Sequence, residues 1–242
     1  MLNALHGNAG LPGDLAPLLA AIPARSEAWH LWQFLEKHPG AGTLWGFASE
    51  FQRAADARSD SSPRILLGYS LGARLAMHVL TTAPEKWDAA ILISAHPGLI
   101  STEDREARLR TDQAWAVRFL RDNWRDVMQA WNAQPVFAGE SMATQDQLLV
   151  EAWRPEVARG FDGWSLARQE DLRPKLSSIP CSVLWLTGER DEKFTTLAAA
   201  ACSALPRGEH HLIAGAGHRV HLDQPAEVAR ELWAFIERIA AA

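Results

Sequence analysis

Gly68-Tyr69-Ser70-Leu71-Gly72 follows the apolar run Ile65-Leu66-Leu67, and Leu71, Leu75, Met77, Val79 and Leu80 continue at helical spacing. A strand that runs into a helix through G-x-S-x-G must turn sharply at the serine, and glycines at 68 and 72 leave room for that turn. Ser70 is then exposed at the carboxyl end of a sheet, over a helix N-terminus. Backbone N–H groups there stabilise developing negative charge. The pattern also occurs in loops without chemistry, so its weight comes from the strand before it and the helix after it.

An activated serine needs a base, and the base needs an orienting acid. The apolar run Ser182 to Thr187 reads as a buried strand, and its exit loop is Gly188-Glu189-Arg190-Asp191. Asp191 is the expected acid, because Gly188 turns the chain and Asp191 comes late in the loop; Glu189 is the alternative. Next come a short strand, His211-Leu212-Ile213, and the Gly-rich loop Ala214-Gly215-Ala216-Gly217-His218. His218 is the expected base. A helix over Pro225 to Ala240 follows, with Pro225 in its first turn and Asp223 as its cap. His218 and His221 form an H-x-x-H, but no further ligand set accompanies them, so no metal site is expected. His210 and His211 belong to the strand. At the start of the chain, Leu2 to Leu5 run into His6-Gly7-Asn8-Ala9-Gly10. The backbone N–H groups of Asn8 and Leu71 are therefore the expected oxyanion hole. The order serine, acid, histidine resembles that of the α/β-hydrolase fold.

These residues need a sheet to hold them. Ala89 to Ser94 reads as a further strand and Trp29 to Trp32 as another. Strands alternate with helices, which predicts an α/β protein with a mostly parallel sheet covered on both faces. The chain opens almost on the strand that leads to His6, so the first strands of the usual fold are expected to be missing. At 242 residues one domain is expected, and a net charge of −5 argues against nucleic-acid binding. No apolar stretch is long enough to span a bilayer, and the N-terminus lacks a signal-peptide pattern. Two cysteines, Cys181 and Cys202, fit free thiols in a cytoplasmic protein.

A long segment with helical periodicity separates Ser94 from Ser182. Its first half carries Arg105, Arg108, Arg110, Arg118, Arg121 and Arg125, interleaved with Trp115, Trp124 and Trp131. We expect residues 102–170 to form a helical lid over a core made of 1–101 and 171–242. Most of the arginines belong to a solvated face and most of the tryptophans to the lid's own core. Arg74 lies one helical turn after Ser70 and can project toward the same pocket. A cation so close to the serine suggests an anionic substrate, because Arg matches carboxylates bidentately.

His96-Pro97-Gly98-Leu99, then Arg105, Arg108, Arg110, Asp112, Trp115, Arg118-Phe119-Leu120, Trp131 and Gln134-Pro135-Val136-Phe137, resemble the lid of one family. That family is 2-succinyl-6-hydroxy-2,4-cyclohexadiene-1-carboxylate synthase, of menaquinone biosynthesis. Gly68 to Arg74, Gly188 to Asp191 with Lys193-Phe194, and Ala216-Gly217-His218 are similar to its other signatures. The resemblance implies Ser70, Asp191 and His218 as triad, and Arg74, Arg108, Tyr69, Trp131 and Arg154 as substrate contacts. It implies a small tricarboxylate substrate, loss of pyruvate, and no metal or organic cofactor. Asn8 and Asn132 stand where better-known members carry aromatic residues. The triad alone leaves a second reading open, a carboxylesterase-type hydrolase of an anionic substrate. A binding protein without turnover is a third reading, disfavoured by the intact triad.

Overall fold

Ile65-Leu66-Leu67-Gly68-Tyr69 and Ala89-Ala90-Ile91-Leu92-Ile93 are buried at every position. Unbroken apolar runs of this kind belong at the centre of a parallel sheet, where both faces are covered. The computed structural model describes residues 1–58, 63–137 and 146–241. Among them six strands form one sheet: β1 Leu2–Leu5, β2 Ser26–Trp29, β3 Ile65–Tyr69, β4 Ala89–Ile93, β5 Ser182–Gly188 and β6 Gly208–Ile213. Their order is β2-β1-β3-β4-β5-β6, and every neighbouring pair is parallel.

Side chains alternate across the sheet with the period of two that a strand imposes. Leu66, Ala90, Val183 and Trp185 enter the core shared with helices Leu44–Asp56, Leu71–Thr82 and Glu192–Cys202. Ile65, Leu67, Ile91, Leu184 and Leu186 enter the opposite core, closed by helix Pro225–Ala240 through Val228, Leu232 and Phe235. Because all strands run the same way, their carboxyl ends emerge together. The strand order reverses between β1 and β3, and open parallel sheets bind ligands at such a point.

Two local expectations are corrected. The segment Trp29 to Trp32 is not a strand; β2 ends at Trp29 and His30 caps helix Leu31–Lys37, its Nδ1 accepting from the Gln33 N–H at 3.2 Å. Leu31, Trp32, Phe34 and Leu35 are all buried at helical spacing, which the short window had hidden. Asp223 does not cap helix Pro225–Ala240. Gln224 holds that position, and the Asp223 carboxylate accepts instead from the Gly217 N–H at 2.8 Å and from Arg190 at 3.1 Å.

Between β4 and β5 the described residues form helices Thr102–Arg121, Trp124–Asn132, Asp146–Leu149 and Arg154–Gly163. Residues 138–145, inside the expected lid, lie outside the described residues. Ser101 caps the first helix, its hydroxyl accepting from the Asp104 N–H at 3.0 Å. The helices pack around Phe119, whose ring lies 5.0 Å from Phe161, 5.7 Å from Trp124 and 5.8 Å from Trp131. This aromatic cluster continues into the sheet's own core through Trp164, which stacks on Trp32 and donates from Nε1 to the Ala41 carbonyl. Among the described residues no helix is long and apolar enough to cross a membrane.

Candidate active site

Ser70 sits between β3 and helix Leu71–Thr82 with φ 51° and ψ −108°. A non-glycine residue held there is strained by about 1–3 kcal/mol and persists only where its neighbours impose it. Here the Ser70 N–H donates to the Ile93 carbonyl of β4, and its own carbonyl accepts from the Arg74 N–H. Gly72 shows why the motif needs its second glycine. A Cβ on it would lie 2.1 Å from the Leu5 carbonyl oxygen, so the helix can approach β1 only without a side chain there.

The other two members arrive on neighbouring loops. A Cβ on Gly188 would lie 2.2 Å from the Gly217 carbonyl oxygen, so the β5 and β6 exit loops touch at that point. Glu189 and Arg190 donate their N–H groups to Ile213 and Ala216, and this pairing carries Asp191 alongside His218. His218 Nδ1–H donates to Asp191 Oδ2 at 2.7 Å, and the Ser70 hydroxyl donates to His218 Nε2 at 3.1 Å. Both His218 and Asp191 are buried, and Ser94 supports the loop by donating to the His218 carbonyl at 2.8 Å. Glu189, the alternative acid, accepts from the Gly215 N–H, and Asp191 is the acid that bonds the histidine ring. Phe194 packs 4.4 Å from that ring, with Phe137 and Tyr69 each at 5.8 Å.

A cavity of about 540 Å³ opens over Ser70. Asn8 and Leu71 line it, and among the described residues neither backbone N–H is used by another protein group. His6 shapes the Asn8 loop. It is fully buried, donates from Nδ1 to the Gly7 carbonyl, and accepts at Nε2 from the Leu31 N–H. Burial pushes its pKa down to about 3, so it is a neutral strut.

Arg74, Arg108, Arg190 and Lys193 bring positive charge to the cavity wall, against Asp112, Asp191 and Glu192. Arg74 is 5% exposed, with Nη2 donating to the Trp164 carbonyl at 2.9 Å and Nη1 to Gln169 Oε1 at 3.2 Å. Burial first, then the Arg108 charge, push its pKa down to about 9, which leaves it charged at neutral pH. A cation held at that cost gains from an anion placed beside it. Arg108 pairs through Nε with the buried Asp112 at 2.8 Å, and Asp112 also accepts from Ser165. Trp131 lines the cavity beside Trp115 and Phe137.

One expected contact falls elsewhere. Arg154 does not line the cavity: Nη1 donates to the Phe119 and Asp122 carbonyls, Nη2 pairs with Glu151, and the guanidinium lies over Trp124. It satisfies carbonyls that the end of helix Thr102–Arg121 leaves unbonded. Tyr69 lines a small chamber of about 30 Å³ that shares Asn8, Ser70, Trp131 and Phe137 with the cavity, and its ring lies 4.3 Å from His221. His221 is buried and pushed down to about 3 by burial, then by Arg219 and His218. Among the described residues no group of three His, Cys, Asp or Glu side chains could hold a metal ion. Sequence reasoning gave no site role to Gln169, Lys193, Ser94 or Arg219, whose guanidinium lies 3.9 Å over Phe137. Two of them carried a signal: Ser94 is the residue leaving β4, and Lys193 belongs to the Lys193-Phe194 signature after Asp191.

The strand order, the strained serine and the Asp–His–Ser relay are those of an α/β-hydrolase-fold protein, and residues 5–231 match the model of the Alpha/beta hydrolase family. A solved structure described as MenH from S. aureus superimposes with a TM-score of 0.86 at 21% identity, covering 99% of this chain and 94% of that one. The Escherichia coli O1:K1 / APEC protein named 2-succinyl-6-hydroxy-2,4-cyclohexadiene-1-carboxylate synthase is 36% identical over 248 residues, 95% of each chain. The relative of the same name from Klebsiella pneumoniae (MGH 78578) is 39% identical over 166 residues, and the match spans 67% of this chain and 64% of that one. The chain belongs to the family of 2-succinyl-6-hydroxy-2,4-cyclohexadiene-1-carboxylate synthases.

Proposed function

We propose that the protein eliminates pyruvate from 2-succinyl-5-enolpyruvyl-6-hydroxy-3-cyclohexene-1-carboxylate to give 2-succinyl-6-hydroxy-2,4-cyclohexadiene-1-carboxylate, a carbon–oxygen lyase step of menaquinone biosynthesis in the cytoplasm. The observation that carries the reading is a serine relay opening onto a cavity that Arg74 and Arg108 also line. A neutral ester has no use for those guanidinium groups. A substrate with a ring carboxylate, a succinyl carboxylate and an enolpyruvyl carboxylate does.

The chemistry follows from the substrate's bonds. The C2–H lies next to the succinyl ketone and is the acidic one. Ser70 takes that proton as its own passes to His218, and Asp191 stabilises the imidazolium. Charge develops on the ketone oxygen, where the Asn8 and Leu71 N–H groups stabilise it. The electron pair then forms C2=C3, the C3=C4 pair shifts to C4=C5, and the C5–O bond breaks. The leaving enolpyruvate regains a proton and becomes pyruvate, so atoms and charge balance. The helices that follow β4 act as the lid that excludes water, with Trp131 against the ring.

The same relay would serve an esterase, which passes through an acyl group on Ser70. Mass spectrometry of enzyme quenched during turnover separates the two. The lyase reading expects unmodified Ser70 and slow turnover of p-nitrophenyl acetate. A stable acyl adduct with a burst of nitrophenol would replace it with the hydrolase reading.

A further inference from the structure

His96 follows the carboxyl end of β4 and lines the cavity, and the residue is 4% exposed. The Gly98 N–H donates to His96 Nδ1 at 3.1 Å. A ring nitrogen that accepts carries no proton, so the proton of the neutral imidazole is on Nε2. Among the described residues the ring's only hydrogen bond is the one at Nδ1. Burial, and then the charges of Lys193, Arg74, Arg108 and Arg173, hold the ring's pKa down to about 3, so it stays a neutral donor. Gln169 fixes its place relative to Arg74. Its Nε2 donates to the His96 carbonyl at 2.8 Å while its Oε1 accepts from Arg74.

Lys193 stands in the first turn of helix Glu192–Cys202 and lines the same cavity. Of the charges acting on the His96 ring, that of Lys193 weighs most. The cavity's other cations are partly committed: Arg108 to Asp112, and Arg190 to Asp223. Among the described residues Lys193 makes no ion pair, and neither does Arg74. The substrate proposed above has three carboxylates. Arg74 and Arg108 meet two, and Arg154, which the family resemblance offered for another, is bound to helix carbonyls.

We propose that the His96 Nε2–H and the Lys193 ammonium together bind the third carboxylate of the substrate. The inference rests on the lyase reading for the number of carboxylates. A neutral donor that shares a cavity with an exposed cation suits an anion that must enter and leave, because it adds a hydrogen bond without adding a second charge to be desolvated.

The test measures binding of the enolpyruvyl substrate to the Ser70→Ala protein by titration calorimetry at low salt, so that no turnover interferes. Into that background go His96→Asn, whose side-chain oxygen can still accept from Gly98 but lacks the Nε2 donor, and Lys193→Met. Each is expected to weaken Kd by roughly tenfold with Tm unchanged, and Lys193→Arg to restore it to within about threefold. Should His96→Asn fold poorly, Lys193→Met and Lys193→Arg decide alone. If both variants bind within twofold of the background while the native enzyme releases pyruvate, the subsite is wrong and the lyase reading stands. If the native enzyme releases none and Ser70→Ala binds nothing, both are overturned.

Discussion

Lowering the pH from 7 to 5 should remove half or more of the protein's stability, because four histidines are buried in the neutral form. Burial pushes His6, His96 and His221 down to about 3 and His78 to about 4, from an ordinary value of 6.5. The folded pKa values lie below the unfolded one, so between pH 6.5 and about 3 the unfolded chain binds more protons. Stability is then lost as pH falls through 6.5. At pH 5 each group contributes about 1.36 kcal/mol × log(1 + 10^1.5), or about 2 kcal/mol, and the four together about 8 kcal/mol. Domains are stable by about 5–15 kcal/mol, so the loss is half of the total or more. The assay is urea unfolding followed by tryptophan fluorescence at pH 7, 6 and 5. His78 packs against Trp45 and donates from Nδ1 to the Arg74 carbonyl, outside the catalytic relay. His78→Leu should therefore flatten the loss by about a quarter, though its stability at pH 7 changes too. A urea midpoint that stays constant from pH 7 to pH 5 would refute the reasoning.

Other outcomes follow from the same geometry. Ser70→Ala and His218→Ala should each lower kcat by at least about a thousandfold without changing Tm, with Asp191→Asn somewhat milder; near-native kcat for Ser70→Ala would remove the relay from the mechanism. Arg74→Ala should cost about 2–4 kcal/mol in kcat/KM, whereas the exposed Arg125 should cost little when replaced by Ala, and equal small losses at both would end the case for a carboxylate clamp. Gly72→Ala places a Cβ 2.1 Å from the Leu5 carbonyl oxygen and should lower Tm by more than about 10 °C or prevent folding, while Gly42→Ala, with nothing within 4 Å, should do neither.

Local patterns made much of this legible in the sequence. The nucleophile turn, the acid after β5 and the histidine after β6 each follow an apolar run and a glycine, and parallel strands bring such loops to one edge. The helix Pro225–Ala240 was readable from its spacing and its first proline. What escaped depends on contacts between distant residues. Arg154 looks like any lid arginine until the carbonyls of Phe119 and Asp122 are found against it, more than thirty positions away. Gln169 carries no motif, yet it joins Arg74 to His96 across long stretches of chain. His30 follows a true strand and begins a helix, and four residues are too few to separate the two periods.

The most direct measurement follows pyruvate, by coupled reduction to lactate, as the purified protein is mixed with 2-succinyl-5-enolpyruvyl-6-hydroxy-3-cyclohexene-1-carboxylate. Pyruvate released one for one with the cyclohexadiene product, and abolished by Ser70→Ala, is the predicted result. Substrate left intact by the folded native protein, or pyruvate released equally by Ser70→Ala, would contradict the account.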